Sequence, residues 1–189
     1  MNWTDIEIDI LKGIQAIKCQ FLDFLMPKIS FLGNAGWIWI AAAVLLLLFK
    51  KTRKHGITLA LGLIMCLVLN NLTLKNLIAR QRPFDYDPSI QLIIPKPGEF
   101  SFPSGHTLSS FMAATVLWYA DKKRFGIPAV AVASLIGFSR LYLQVHYLTD
   151  VVGGVVLGII FGIAAICIVN FIYKKYVLKE NSKNGVNAR

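Results

Sequence analysis

Long apolar runs alternate with short polar segments along most of this chain. From about residue 34 onward, several runs approach the roughly 20 apolar residues that a helix needs to cross a bilayer. We predict five membrane spans, at about 34–50, 56–79, 103–120, 126–145 and 147–174. Pro83 follows the second run, and proline disfavours helix in the residue before it. The expected fold is an all-α, polytopic bundle of membrane helices.

The first 32 residues show a different pattern. Apolar residues recur there at helical spacing, among them Trp3, Ile6, Ile10 and Ile14, with charged residues between them. This is typical of amphipathic helices that lie in the plane of the membrane interface. A sixth span over 15–33 would carry Lys18, Asp23 and Lys28 at an energetic cost. The predicted organisation is an interfacial segment (1–32), a transmembrane domain (33–176) and a polar tail (177–189).

Two further features of the apolar pattern predict packing. The segment 84–102 is rich in proline and is predicted to be a loop, but its middle, 90–94, is apolar. We expect this stretch either to dip into the membrane edge or to cover a site. In the fifth span, Gly154, Gly158 and Gly162 recur every four residues, which lets a neighbouring helix approach closely.

The composition agrees with a membrane protein of one domain. The 189 residues are 56% hydrophobic, and the mean hydropathy is +0.59, which exceeds that of ordinary soluble domains. The formal net charge of +10 would suit nucleic acid, but the basic residues lie in short loops between spans, so we predict no nucleic-acid partner. The three cysteines are widely separated and odd in number, which favours buried thiols over a disulfide framework.

The loop charges predict an orientation. Basic clusters follow the first, third and fifth spans, which lie on one side if the spans alternate. These residues are Lys50, Lys51, Arg53, Lys54, Lys122, Lys123, Arg124, Lys174, Lys175 and Lys179. The positive-inside rule makes that side cytoplasmic, together with the C-terminus. The three remaining polar clusters then fall on the extracytoplasmic face.

The first of these clusters is cationic. Lys75 and Arg82 are seven residues apart, close to two helical turns, so we expect them to share one face of the second span. Such cations bind phosphate, and Arg can make paired hydrogen bonds. Arg80 would turn away from that face, and we do not count it as a ligand. The alternative is two cations snorkelling at the interface.

The second cluster, Pro103-Ser104-Gly105-His106, opens the third span. Pro103 suits the first turn of a helix, whose free backbone N–H groups bind anions. Gly105 would let a ligand approach the backbone, the Ser104 hydroxyl would add a donor, and His106 would lie beside the anion. The alternative is a capped helix with an interfacial histidine.

The third cluster combines Arg140 with His146 and Asp150. On one helix the last two, four residues apart, would stack on one face. A carboxylate there fixes the tautomer of the imidazole and leaves its other nitrogen free to attack or to accept a proton. Arg140 and His146, six apart, would not share a face, so we expect the chain to turn between them. The alternative is a pair that only caps the fifth span.

In residue type, order and spacing, the three clusters resemble the signature of the type 2 phosphatidic acid phosphatase superfamily, and the likeness covers about residues 30–175. The resemblance implies that His146 is the nucleophile, that Asp150 orients and activates it, and that His106 is the general acid. It also implies a phosphate cradle made of Lys75, Arg82, Ser104, Gly105 and Arg140. Membrane members of this family usually have six spans, so the N-terminal segment departs from the pattern.

Two other functions use the same residues. His106, His146 and Asp150 could form a two-histidine, one-carboxylate metal site, but the surrounding cations suit an anion better, so we expect no metal and no cofactor. A transporter or binding protein for an anionic lipid would use the cations, but it would leave both histidines without a role.

A site at the membrane surface beside an apolar loop predicts a lipid-linked phosphate as substrate. The resemblance implies a bacterial lipid phosphatase of the cell membrane. Undecaprenyl diphosphate, which is released on the outer face during wall synthesis, is our first expectation. The alternative is phosphatidylglycerophosphate or phosphatidic acid. The sequence gives no prediction of the oligomeric state.

Overall fold

The structure, a computed structural model, describes residues 2–183, with side chains for 2–70 and 72–176. Throughout this part of the chain the regular structure is helical, without strands, so the all-α prediction is confirmed. The helices are α1 (Trp3–Gln15), α2 (Gln20–Leu32), α3 (Trp37–Leu48), α4 (Arg53–Met65), α5 (Lys75–Ile78), α6 (Pro83–Tyr86), α7 (Gly105–Ala120), α8 (Ile127–Tyr142) and α9 (Leu148–Lys183). Residues 184–189 of the predicted polar tail lie outside the described residues.

Short irregular helices join several of these elements. A 3₁₀ turn, Asn34–Gly36, links α2 to α3, and Gly36 has a positive φ of 68°. A π-helical stretch, Cys66–Leu74, continues α4 into α5, and another, Lys122–Gly126, leads into α8. The predicted span edges at 56–79, 103–120 and 126–145 therefore agree with the helices to within a few residues.

Three helical stretches are long and apolar enough to cross a membrane: Arg53–Tyr86, Lys122–Tyr142 and Leu148–Tyr176. The pair Gln20–Leu32 and Asn34–Leu48, bent by 45°, would make a fourth span if it crosses as one. The predicted number of five spans is not confirmed. The physical reason lies in α7, whose 16 residues are fewer than a lipid-exposed span needs.

Helix α7 is instead the centre of the bundle. It packs against α4, α8 and α9, and most of its side chains are buried. Leu108 and Met112 are fully buried in a core cluster that also contains Leu59, Ile136 and Phe161. Because neighbouring helices separate α7 from lipid, its length and polar residues do not need to match the bilayer.

The glycine stripe of α9 sets its contact with α7. A Cβ atom on Gly158 would lie 2.5 Å from the carbonyl oxygen of Leu108, and one on Gly154 would lie 2.9 Å from that of Ser104. The predicted packing role of the stripe is confirmed. The contacts run in parallel register, so both helices begin at the same end of the bundle, where the Ser104 N–H donates to the Asp150 carbonyl at 3.1 Å.

The opposite end of the bundle carries basic residues. Lys54, near the start of α4, lies 5.3 Å from the ring centroid of Tyr173 in α9. The neighbouring His55 ring lies 5.9 Å from that of Tyr119, near the end of α7. The start of α4 and the late parts of α7 and α9 therefore meet there, away from Ser104 and Asp150.

The N-terminal helices and the loop 87–102 pack over the end that holds Asp150. In α1, Ile8 and Leu11 are buried against residues of α8 and α9 and the turn between them. The apolar middle of the loop, through Ile90, Leu92 and Ile94, packs on a second cluster around Met26. This stretch therefore packs against the protein at the end that holds Asp150, and its position relative to the membrane stays a prediction. The interfacial position of residues 1–32 stays a prediction.

Candidate active site

The structure brings the three polar clusters together at one end of the bundle. Their residues come from separate elements: Lys75 begins α5, Arg82 precedes α6, Ser104 to His106 begin α7, Arg140 ends α8, and His146 and Asp150 flank the start of α9. The members that are buried to 5% exposure or less are Lys75, Arg82, Ser104, Arg140, His146 and Asp150. So many buried charges are costly unless they serve each other or a ligand.

Lys75 and Arg82 do not share a helical face, so that prediction was wrong. Helix α5 ends at Ala79, whose φ of 47° is left-handed, and Arg82 is extended because Pro83 follows it. The break still leaves the two cations close enough to influence each other electrostatically. Lys75 pairs with the Glu99 carboxylate. Arg82 donates to the carbonyls of Glu99 at 2.6 Å and Val145 at 2.7 Å.

The second cluster forms a helix start, two residues later than predicted. Helix α7 begins at Gly105 with Ser104 as its N-cap, so Pro103 lies before the helix and not in its first turn. The first N–H groups of α7 have no intrahelical acceptor. The Ser104 hydroxyl lies 2.9 Å from that of Thr107, a contact within the protein that the sequence did not indicate.

His106 is held from the side of α2. Its Nε2 lies 2.7 Å from Oδ1 of Asn34. Its ring lies against Gly33, where a Cβ atom would come within 2.8 Å of Cδ2. The charges of Arg140, His146, Lys75 and Arg82 all act on this imidazole, which puts it in the same cluster. Neither Gly33 nor Asn34 was singled out from the sequence.

His146 and Asp150 meet, but not on one helix. Helix α8 ends at Tyr142, Gln144 turns with a φ of 54°, and α9 begins at Leu148. The predicted turn between Arg140 and His146 is therefore present, whereas the predicted helical stacking was wrong. Nδ1 of His146 lies 3.5 Å from Oδ2 of Asp150. The same oxygen accepts from the Tyr147 N–H at 2.9 Å, so the carboxylate also caps α9.

This contact defines how the imidazole can react. With the Nδ1 proton directed at Asp150, the lone pair lies on Nε2, which is 3.3 Å from Nη1 of Arg82. Burial lowers the pKa of His146 to about 3, with the cations Arg82 and Arg140 adding to the effect and Asp150 opposing it. The imidazole is therefore neutral near pH 7 and faces a cationic cluster.

Arg140 has an unused donor in this cluster. Its Nη1 donates to the Ser30 hydroxyl of α2. Its Nε is buried and has no hydrogen-bond partner among the described residues. Buried donors are almost always satisfied, so this N–H is available to an acceptor such as a water molecule or a substrate oxygen.

Four further residues complete the site, and the sequence analysis missed their roles. Arg80, which we did not count, donates from Nη1 to Oδ1 of Asp150 at 2.6 Å. Glu7 of α1 pairs with Arg80 and is 1% exposed. Ser101 donates to Oδ2 of Asp150, and Glu99 pairs with Lys75. Glu7 lies in an amphipathic helix and Glu99 in a loop, where acidic residues are common. The sequence therefore gives no sign of the partners of these two residues.

Two cavities meet at Glu99. The larger, of about 590 Å³, reaches from Lys75, Glu99 and His106 along apolar residues of α3 and α4 such as Ile40 and Leu63. The smaller, of about 310 Å³, is lined by charged residues that include Arg80, Arg82 and Lys96. Among the residues that the structure describes, no three His, Cys, Asp or Glu side chains group closely enough to hold a metal ion.

Comparisons with known proteins agree with this geometry. A model of the PAP2 superfamily matches residues 55–174. The chain is 36% identical to undecaprenyl-diphosphatase of Sulfolobus acidocaldarius, over 80% of this chain and 72% of that protein.

Two crystal structures are similar. One is a transmembrane PAP2 type phosphatidylglycerolphosphate phosphatase from Bacillus subtilis, with a TM-score of 0.69 and 28% identity over 90% of this chain and 86% of that one. The other is Aquifex aeolicus LpxE, with a TM-score of 0.71 and 27% identity over 88% of this chain and 99% of that one.

Proposed function

Because the chain belongs to the PAP2 superfamily and is a membrane lipid phosphatase, we propose that it removes the terminal phosphate of undecaprenyl diphosphate. The reaction runs through a phosphohistidine on His146, at the extracytoplasmic face of a bacterial cell membrane. The observation that carries this proposal is the position of His146. It is buried and neutral, it is oriented by a carboxylate, and its Nε2 faces the cationic cluster.

In the first step, Nε2 of His146 attacks the terminal phosphorus. A P–N bond forms while the bond from phosphorus to the leaving oxygen breaks, and Asp150 stabilises the imidazolium that develops. His106 gives its proton to the leaving oxygen. Lys75, Arg82 and Arg140 balance the charge of the phosphoryl oxygens, together with the N–H groups at the start of α7 beside Ser104 and Gly105.

In the second step, water replaces the histidine. His106, now neutral, takes a proton from the attacking water. The new P–O bond forms while the P–N bond breaks, which returns His146 to its neutral form and releases inorganic phosphate. Nε2 of His106 contacts Asn34, so proton transfer through Nδ1 would leave this hydrogen bond intact, whereas transfer through Nε2 would break it in each cycle.

The larger cavity supports a lipid substrate. It joins Lys75 and His106 to apolar side chains of α3 and α4, so a phosphate at the cations would leave its chain against an apolar wall. Exposed apolar residues on the same helices, including Val44, Leu45 and Ile64, would face the acyl region of a bilayer. A soluble phosphoester would gain nothing from this wall.

The proposed sidedness rests on charge. Basic residues gather at the end of the bundle where α4 begins, and the site lies at the other end. By the positive-inside rule the basic end is cytoplasmic, which puts the site outside. We propose five crossings, with the bent α2–α3 pair as the first and the enclosed α7 as the third, which restricts the interfacial segment predicted over 1–32 to α1.

Two alanine variants test the chemistry, with phosphate release from undecaprenyl diphosphate in detergent as the assay. We expect His146→Ala to lose turnover, because no nucleophile remains. If His146→Ala keeps turnover, the phosphohistidine is contradicted. If the wild-type protein shows no turnover, and both it and the variant bind the lipid equally, the protein is a binding protein. Lys12→Ala removes an ion pair with Asp87 that lies outside the site, and we expect it to keep turnover.

A lipid panel tests the substrate. We expect undecaprenyl diphosphate to have the highest kcat/KM among lipids that include phosphatidylglycerophosphate and phosphatidic acid. The likeness to the Bacillus subtilis structure supports phosphatidylglycerophosphate as the second candidate. A higher kcat/KM for that lipid would replace the first assignment, and cleavage of soluble phosphoesters alone would contradict both.

Metal dependence is tested by a chelator. The proposed reaction uses only protein groups, so we expect turnover to persist in EDTA and to be inhibited by vanadate, which adopts the geometry of the transferred phosphoryl group. Loss of activity in EDTA with recovery on adding a divalent ion would favour a metal mechanism.

A further inference from the structure

Arg80 contacts Asp150 from the side opposite to His146. Its Nη1 donates to Oδ1 of Asp150 at 2.6 Å and lies 2.7 Å from the Thr149 hydroxyl. Oδ2 of Asp150 instead faces His146 and accepts from Ser101 and from the Tyr147 N–H. The two carboxylate oxygens thus have separate partners, and Arg80 determines the orientation of the oxygen that does not touch the imidazole.

Glu7 of α1 fixes Arg80 in turn. It is 1% exposed and pairs with Nη2 of Arg80. It also accepts from the Thr149 N–H at 3.0 Å and from the Thr149 hydroxyl at 2.6 Å. A carboxylate this deeply buried is destabilising unless its partners compensate it, and here every partner lies next to Asp150 or binds it.

An aromatic ring completes the support. The Arg80 guanidinium lies 4.0 Å from the ring centroid of Tyr147, whose backbone N–H donates to Asp150. The guanidinium is therefore held between a ring and two carboxylates. This arrangement restricts its rotation far more than a single surface ion pair would.

We propose that Arg80 and Glu7 are positioning residues for Asp150, so that the N-terminal helix α1 takes part in aligning the catalytic histidine. This inference rests on the proposed role of His146. Arg80 also lines the smaller cavity, so a direct contact with substrate phosphate is the competing role. Its guanidinium is already engaged by Glu7 and Asp150, which favours positioning.

The proposal predicts a change in pH dependence, since Arg80 adds a positive charge next to the pair. The other charged or titratable groups near His146 and Asp150 come from every neighbouring element: Glu7, Lys75, Arg82, Glu99, His106, Arg140 and Tyr147. All of these stay in place when Arg80 alone is changed. Loss of its charge makes protonation of His146 easier. The acid limb of the pH profile, which is the fall of kcat on the acidic side, therefore moves to higher pH.

The first experiment measures kcat and KM against pH in detergent. Its substrate is farnesyl diphosphate, a short polyprenyl diphosphate with the same diphosphate group as the proposed substrate. We expect Arg80→Gln to lower kcat about 10- to 100-fold, because a misaligned nucleophile costs that much. We expect KM to change less than about threefold, since no phosphate contact is lost. The acid limb should move up by about one pH unit. Arg80→Lys keeps the charge and should restore the position of the limb.

Glu7 variants separate alignment from folding. Glu7→Gln leaves Arg80 fully charged beside Asp150, so the acid limb should not move up, although kcat falls. In Arg80→Gln the buried Glu7 carboxylate loses its cation, which could unfold the protein. The double variant Glu7→Gln/Arg80→Gln removes a buried charge of each sign and avoids this unpaired charge. It should still show the upward shift. Lys12→Gln is the matched control, because Lys12 anchors α1 through Asp87 at 2.9 Å and touches none of these residues.

Three results would overturn the proposal. A tenfold rise in KM at constant kcat would make Arg80 a phosphate ligand. A fall in kcat with no shift of the limb in either Arg80→Gln or the double variant would make the network merely structural. A shift in Lys12→Gln would assign the effect to looser packing of α1. Failure of the proposed function is distinguishable, because it would appear as turnover in His146→Ala.

Discussion

At the scale of single residues, acidic side chains pair with some of the cations of the proposed phosphate site. Glu99 shows this most directly, because its carboxylate binds Lys75, one of the cations proposed to hold the substrate. The side chain of Lys75 is 6% exposed, whereas that of Glu99 is 62% exposed. The carboxylate therefore reaches the lysine from the open side, where it competes with an incoming anion.

Glu99→Gln should strengthen anion binding. The amide cannot neutralise Lys75, so we expect the inhibition constant of vanadate to fall about two- to fivefold, the range that a partly exposed ion pair supports. Inhibition of phosphate release at fixed lipid concentration measures it. Asp87→Asn removes an ion pair at the start of the same loop, with Lys12 at 2.9 Å, and should have no effect. Equal inhibition of Glu99→Gln and wild type would show that Glu99 does not compete.

The wild-type pH profile should reflect the buried nucleophile. The neutral imidazole is the reactive form and exists above the pKa of His146, which burial lowers to about 3. Reactivity is therefore lost only as pH falls toward that value, and not near the ordinary pKa of about 6.5. We expect kcat for farnesyl diphosphate to show its acid limb well below pH 6. A limb centred at 6.5 would mean that His146 is solvated in the working enzyme.

At the scale of helices, the contact between α7 and α9 determines where the chemistry lies. The two helices run in parallel at glycine-mediated distance, so the N–H groups at the start of α7 and the carboxylate in the first turn of α9 lie at one level. A side chain that pushed these helices apart would separate Ser104 from Asp150 and loosen the site as well as the core.

Gly158→Ala tests this contact. Its Cβ would lie 2.5 Å from a backbone oxygen of α7, which cannot move alone. We expect Tm in detergent to fall, by a destabilisation of about 1–3 kcal/mol typical of overpacking. Gly13→Ala is the matched control, since nothing lies within 4 Å of that position, and alanine favours the helix there. An unchanged Tm for Gly158→Ala would mean that the helices separate at little cost.

At the scale of the whole molecule, the two ends of the bundle differ in charge. The basic loops and the site lie at opposite ends, so sidedness of the membrane decides which lipids the enzyme meets. A lipid diphosphate released outside reaches a site on that face directly, whereas a lipid made inside must first cross.

Labelling of single cysteines in intact cells tests the sidedness. In a background with Cys19, Cys66 and Cys167 changed to serine, we expect Gln91→Cys to react with a membrane-impermeant maleimide. This position is exposed on the loop beside the site. Lys51→Cys, exposed at the other end, should react only after the cells are permeabilised. The reverse pattern would place the active site in the cytoplasm.

The sequence by itself determined the helical stretches from 53 onward, the packing role of the glycine stripe, and the residues of the three clusters. Apolar runs and motif spacing are local properties of the chain, so they can be read without knowing how distant parts meet. Motif order and residue type were also enough to indicate the family that the comparisons establish.

Only the tertiary structure decided how these residues meet. The left-handed turns at Ala79 and Gln144 break the helices that local spacing extended, and they bring Arg82 and His146 together across the bundle. The partners Glu7 with Arg80 and Asn34 with His106 are 73 and 72 residues apart. Such pairs depend on three-dimensional packing, because a buried charge selects its partner by distance in space and not along the chain.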